Sequence, residues 1–191
     1  MIRPPPLPPW ARWGSVALAA ALAVVLLAMG RIPWCAAGDL SPVSLDTWSP
    51  HNSQHLLDAY SFTHFQHGLV FFLALAAGGR SRWIGPRWLL ALGLEGAWEI
   101  LENTPLVIER YRTATVSLGY DGDSVANSLS DLACCALGYQ VAARVPAWAT
   151  GAVFVAIELA LIATLRDSLL LNVLMLVWPL DAVARWQAGG H

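Results

Sequence analysis

The sequence predicts an all-α protein: a polytopic helical membrane bundle of about six transmembrane helices with both ends in the cytoplasm (N-in/C-in). Three observations lead there. Hydrophobic residues make up 57% of the 191 positions and charged residues only 13%, with mean hydropathy +0.53, against roughly 25% charged in soluble domains. Apolar runs near the length needed to cross ~30 Å of hydrocarbon recur along the whole chain, separated by Pro, Gly and short polar clusters. Inside several of those runs, charged residues fall at helical spacing and so share one face. A single integral membrane domain, residues 1–191, accounts for the entire length.

Each element has its own justification. Residues 1–12 form a Pro-rich cytoplasmic tail, with five prolines before Trp10 that forbid a helix. The first span covers about 13–30, nearly unbroken Ala, Leu and Val. A cleaved signal peptide is the rival reading, because Cys35-Ala36-Ala37 supplies small residues, but the apolar run exceeds the usual ~7–15 residues and favours an uncleaved anchor. Arg31-Ile32-Pro33-Trp34 ahead of Cys35 is unlike a lipidation motif. Residues 36–54 read as an interfacial loop, and the second span runs over about 56–78. A basic turn from Gly79 to Arg87 leads to the third span, about 88–104, stopped by Pro105. Leu106 to Gly122 is a polar connection, after which Asp121 or Asp123 can cap the fourth span, about 124–143. Pro146 breaks the chain before the fifth span, about 147–165, and Arg166-Asp167-Ser168 joins it to a sixth, about 169–183.

Arginine orients the bundle. With both ends inside, Arg3, Arg12, Arg80, Arg82, Arg87, Arg144 and Arg185 collect in the cytoplasm and Arg31, Arg110, Arg112 and Arg166 outside. All eleven basic residues are Arg, and a net charge of −2 offers no basic surface, which excludes nucleic acid as a partner. The three cysteines cannot build a disulfide framework, and Cys134-Cys135 reads as small helix-packing side chains.

The polar ladders define the candidate site. Glu95, Glu99 and Glu102 stack on one face of the third span, as Asp123, Asn127 and Asp131 do on the fourth, and His64 and His67 lie at i, i+3 in the second. In the N-in/C-in orientation all of them fall in the outer half of the membrane, with Glu158 and Asn172 at similar depth. Ionisable groups at such depth cost several kcal/mol, which places them around an interior site. The ligand-binding candidates are Glu99, Glu102, Asn103, Arg110, Arg112, Asp123, Asn127 and Asp131; the metal candidates are His64, His67, Glu99 and Asp123.

These residues carry a resemblance. Asn52-Ser53-Gln54-His55, Ser61-Phe62-Thr63-His64 with His67-Gly68, Glu95-Gly96-Ala97-Trp98-Glu99-Ile100-Leu101-Glu102-Asn103-Thr104-Pro105, Ile108-Glu109-Arg110-Tyr111-Arg112, Gly122-Asp123-Ser124-Val125 and Arg166-Asp167 resemble an uncharacterised family of small bacterial inner-membrane proteins. The match covers nearly the whole chain. More distantly, the His, Glu and Asp-Asn pattern over successive spans is similar to VanZ-like membrane proteins. The resemblance implies a multi-pass protein of the bacterial inner (plasma) membrane, and it implies a second Cys near Cys35, where Ala36-Ala37 stand instead.

Three readings of the polar layer stay open. Interhelical hydrogen bonds and Arg–carboxylate pairs, with Arg110 and Arg112 over Glu102 or Asp123, would make it structural. A divalent metal held by His64, His67, Glu99 and Asp123 would make it a metal-dependent membrane enzyme acting on a lipid or envelope precursor. A cavity holding a lipid headgroup or other polar ligand, or assisting a membrane assembly with a protein partner, is the favoured expectation. The absence of an inverted repeat argues against transport.

Overall fold

The computed structural model describes residues 6–76, 84–115 and 119–189. Eight helices carry almost all of the regular structure in these residues. Helix α1 (Pro9–Ala28) starts where Pro8 and Pro9 supply the φ a first turn needs, and it ends at Gly30, whose φ of +86° is a left-handed helix stop. The following segment, 29–60, is irregular apart from a two-residue parallel bridge between β1 (Val43–Ser44) and β2 (Leu57–Asp58). Helix α2 (Ser61–Ala76) begins later than the expected residue 56, because Asp58 and Ser61 cap reciprocally. The Ser61 N–H donates to Asp58 Oδ1 at 2.8 Å, and the Asp58 N–H to Ser61 Oγ at 3.1 Å.

Helix α3 (Ile84–Glu102) is followed almost at once by α4 (Pro105–Ala114), which replaces most of the expected polar connection. Pro105 ends one helix and, as the N1 residue capped by Thr104, begins the next. Helix α5 (Val125–Ala142) is capped by the Ser124 hydroxyl, to which the Asn127 N–H donates at 3.1 Å, and not by Asp121 or Asp123. Helix α6 (Ala147–Leu165) ends on Arg166 in the left-handed region, φ 55°.

The expected sixth span is two short helices, α7 (Leu169–Val177) and α8 (Asp181–Ala188). Pro179 has no N–H to give and pushes Trp178 to φ −139°, ψ 82°, so the helix cannot run on to 183. Nine residues rise only about 14 Å, half a bilayer. The pair then doubles back: Gln187 Nε2 donates to the Arg166 carbonyl at 3.0 Å and to Asp167 Oδ1 at 3.3 Å, and Arg166 Nη1 to the Trp186 carbonyl at 2.8 Å.

The five long helices run alternately up and down, with α2 packed on α5 as the central pair. Gly68 and Gly138 make that pairing close: a Cβ on Gly68 would enter the Cys135 carbonyl, and one on Gly138 the Phe65 carbonyl. At one end, α1, α3 and α5 meet through apolar and aromatic contacts, with Trp88 edge-on to Tyr139 and its Nε1 donating to Ser15 Oγ at 2.7 Å. The other end is polar. There Arg31 Nε donates to the Asp123 carbonyl at 3.0 Å, and Tyr60 donates to Asp167 Oδ2 at 3.1 Å. Segment 29–60 lies over the start of α5, whose first N–H groups donate to the carbonyls of Ser53, Ile32 and Pro33.

Burial is inverted relative to a soluble protein. His55, Gln66, Glu95, Glu99, Asn127, Ser128 and Asp167 are buried, while Trp13, Leu159 and Leu170 are 74%, 61% and 60% exposed. Helices α1 and α6 are, among the described residues, the two long and apolar enough to cross a membrane. Helices α3 and α5 carry the site's charged and polar groups within their length, which lowers their hydropathy. Arg3, Arg80 and Arg82, three of the arginines expected in the cytoplasm, lie outside the described residues.

Candidate functional site

Three helices present the site at the polar end of the bundle. Positions 64 and 67 of α2 face positions 95, 99 and 102 of α3, because both sets follow the i, i+3/i+4 rows of a helix surface. His64 Nδ1 hydrogen-bonds to Glu95 Oε1 at 2.7 Å, and His67 Nδ1 to Glu95 Oε2 at 2.9 Å, so one carboxylate spans both rings. His64 Nδ1 is also 3.2 Å from Glu99 Oε1, and its Nε2 is 3.9 Å from Asp131 Oδ2 on α5. The single proton on Nδ1 is directed to Glu95, which leaves Glu99 without a hydrogen bond on either oxygen. Glu102 Oε2 and Asp131 Oδ1 are buried and unpartnered as well. Glu95 and Glu99 are fully buried, and Glu102 and Asp131 nearly so.

A second layer surrounds Asp123 beside this cluster. Asn103 Nδ2 donates to Asp123 Oδ2 at 2.7 Å, the Asp123 N–H returns a bond to Asn103 Oδ1 at 2.8 Å, and Tyr120 donates its hydroxyl proton to Asp123 Oδ1 at 2.9 Å. Burial raises the Asp123 carboxyl above its usual range, although the Tyr120 and Asn103 hydrogen bonds pull it back. Burial and the neighbouring Glu102 and Asp123 push the phenols of Tyr111 and Tyr120 up, which keeps both protonated as donors.

A cavity of about 310 Å³ lies among these layers. Its wall contains the titratable side chains of Asp58, His64, His67, Glu102, Asp123 and Asp131, neutral polar groups including Tyr60, Thr63 and Asn172, and the apolar Phe71, Leu94, Trp98, Leu169 and Val173. The lining is therefore amphiphilic, combining acids, imidazoles and neutral polar groups with hydrocarbon.

The residues singled out in the sequence divide into three groups. His64, His67, Glu102, Asp123 and Asp131 line the cavity, and Glu99 lies behind them against His64. Asn103 positions Asp123, while Asn127 does not line the cavity but supports its wall, with Nδ2 donating to the His55 carbonyl at 2.9 Å and to Asp58 Oδ2 at 3.4 Å. Arg110 and Arg112, expected over Glu102 or Asp123, are engaged elsewhere. Arg110 Nε donates to the Leu176 carbonyl at 2.8 Å, and Arg112 Nε to the Tyr120 carbonyl at 2.6 Å, with its Nη2 paired to Asp121. Their arms reach α7 and the 119–122 turn first. Among the described residues no arginine lines the cavity.

The donor atoms close enough to share one ion are those of His64, His67 and Glu95, and of His64, Glu99 and Glu102. Glu95 thus enters a set in which Asp123 was expected, because Asp123 is already held by Asn103 and Tyr120. Imidazole nitrogens and carboxylate oxygens suit Zn, Mn or Fe. Glu95, Tyr60, Tyr111 and Tyr120 were not named as site residues from the sequence. Glu95 was visible in the acidic ladder; Tyr60 and Tyr120 lie in connections and Tyr111 in the short helix α4, and none of the three gives a periodic signal.

A family model described as "Protein of unknown function (DUF2585)" matches residues 26–189. The chain is similar to the UPF0314 protein of Sphingopyxis alaskensis, 47% identical over 182 residues covering 92% of this chain and 94% of that one. It is also similar to the UPF0314 proteins of Novosphingobium aromaticivorans, at 44% with 94% of each chain covered, and Paracoccus denitrificans, at 45% with 95% and 92% covered. No solved structure matches.

Proposed function

The chain belongs to the DUF2585 family of proteins of unknown function, and on that premise we propose that it is a multi-pass inner-membrane protein whose acidic–histidine pocket binds a divalent metal ion together with the polar headgroup of an amphiphile. One observation carries this reading. Four buried carboxylates, Glu95, Glu99, Glu102 and Asp131, surround two imidazoles, and four of their oxygens have no partner. Buried carboxylates in excess over their cations must protonate or find another positive charge. Among the described residues no guanidinium lines the pocket, and a divalent ion held by one of the two donor sets, His64, His67 and Glu95 or His64, Glu99 and Glu102, would supply that charge.

Membrane location is supported by the inverted burial and by the apolar surfaces of α1 and α6. In this proposal α1, α2, α3, α5 and α6 cross the bilayer and α7–α8 form a hairpin dipping in from the outer side. That gives five crossings, with the N-terminus inside and the C-terminus outside. The amphiphilic lining supports a ligand with a polar head and an apolar body, reached from the outer leaflet.

Purified protein in detergent is to be assayed for metal by elemental analysis and for thermal stability with added Mn2+ or Zn2+. About one equivalent that is lost in Glu99→Gln supports the reading. Metal uptake and stabilisation that persist unchanged in Glu99→Gln, or no uptake at all with stability unmoved by either ion, overturn it and leave His64 and His67 as hydrogen-bonding groups.

A further inference from the structure

The first loop contains a second constellation, outside the pocket and independent of the reading given above. Cys35 Sγ lies 3.3 Å from His51 Nδ1, and His51 Nδ1 lies 3.3 Å from His55 Nε2. All three ligand atoms lie within 4.8 Å of one another, and Cys35 and His55 are buried. His55 Nδ1 contacts the Ser41 carbonyl. A carbonyl can only accept, so the His55 proton sits on Nδ1 and the Nε2 lone pair faces the other two groups. Fixing one ring nitrogen on a backbone carbonyl and leaving the second free is how metal-bound histidines are oriented. Asp39 adds an oxygen: its Oδ1 accepts from the Ser41 N–H at 2.9 Å, and its Oδ2 lies 4.0 Å from His55 Nε2.

The Cys35–His51 and His51–His55 spacings, 3.3 Å each, are close to those around a tetrahedral ion. With Zn–N of about 2.05 Å and Zn–S of about 2.3 Å, two nitrogen ligands sit roughly 3.3 Å apart and a sulfur and a nitrogen roughly 3.6 Å apart. We propose that Cys35, His51 and His55 form a binding site for a borderline transition-metal ion of the Zn2+ class, with Asp39 as a fourth ligand. In this proposal His51 and His55 complete the ligand set in place of the second Cys that the resemblance implies near Cys35. Binding releases the Cys35 thiol proton and ties three points of segment 29–60 together. That segment has only a two-residue strand pairing of its own. It also covers the start of α5, through Ser53 and Ile32, so the ion would clamp the cover of the pocket.

The test is a Co2+ titration of the full chain in detergent, read by absorption. A bound thiolate gives a near-ultraviolet sulfur-to-cobalt charge-transfer band, which an all-nitrogen-and-oxygen pocket does not. The expected result is that band in the wild type, bleached by Zn2+. It should be absent in Cys35→Ser and retained in a Cys134→Ala/Cys135→Ala double variant. No charge-transfer band in folded wild type overturns the proposal, as does a band that survives Cys35→Ser. Metal uptake that responds to Glu99→Gln but gives no such band would sustain the pocket and refute this site.

Discussion

Glu99 Oε1 lies 3.2 Å from a His64 nitrogen whose proton is directed to Glu95, and neither Glu99 oxygen accepts a hydrogen bond. A buried carboxylate in that position destabilises the metal-free protein and suits an ion. Glu99→Gln is therefore expected to leave the metal-free protein unchanged or more stable, by about 1 kcal/mol. The stabilisation by added metal, about 2.7 kcal/mol at a hundredfold excess over Kd, should vanish. Thermal unfolding in detergent with and without Mn2+ checks both; a metal-free protein strongly weakened by the change contradicts this reading of Glu99.

The α2–α5 contact gives the second prediction. Gly68 and Gly138 each meet backbone of the facing helix, which has no rotamer with which to yield. Gly68→Ala or Gly138→Ala should each cost about 1–3 kcal/mol by forcing the helices apart. Gly93→Ala, where nothing lies within 4 Å, should be neutral. Comparable melting temperatures for all three variants would remove the close-approach argument.

Asp167 predicts a pH dependence. Its carboxyl is raised by burial, against the pull of Asn172, the Ser168 N–H and Tyr60. A group whose folded pKa lies above its unfolded value of about 3.9 favours folding while protonated, so this contribution is present below about pH 4 and is lost as the pH rises through the folded value. The stability difference between wild type and Asp167→Asn should change over that interval and be flat above it. Melting curves recorded from mildly acid to neutral pH test the sign.

Topology is the fourth prediction. Gln187 against Arg166 and Asp167 returns the end of α8 to the polar side, where Arg31 and Asp123 also lie. Reporter fusions after Ala188 and at Asp39 are expected to give the same exported signal, and a fusion at Pro146 a cytoplasmic one. A cytoplasmic signal after Ala188 restores the six-span scheme.

The site was legible where it repeats with a helical period. Glu95, Glu99 and Glu102 announce one face of α3, and His64 and His67 one face of α2, since charge in an apolar run is costly wherever it points to lipid. Rotation of those helices was not legible, so Glu95 rather than Asp123 proved to be the partner of the histidines. The α7–α8 break was readable in Pro179 but was outweighed by the apolar composition around it. Helix α4 was hidden because polar residues usually mark a connection. Cys35, His51 and His55 meet only through the path of an irregular loop, which no periodicity encodes.

The covering of α5 by segment 29–60 has a consequence for the order of events at the pocket. A helix N-terminus ordinarily attracts anions through its exposed N–H groups. Here the N–H groups of Ser124, Val125 and Ala126 already donate to the chain's own carbonyls, and the Ser124 hydroxyl receives the Asn127 N–H. A phosphate or carboxylate arriving at the cavity finds, among the described residues, neither an open dipole at the start of α5 nor a guanidinium on its walls. The cavity's polar walls hold acids, imidazoles and neutral hydroxyl and amide groups such as Tyr60, Thr63 and Asn172, so an anion beside the carboxylates would be favoured only with the proposed cation bound. If the pocket takes the cation and the anionic headgroup proposed above, loading is expected to be ordered, the cation first and the headgroup second, with saturation by one conditional on the other.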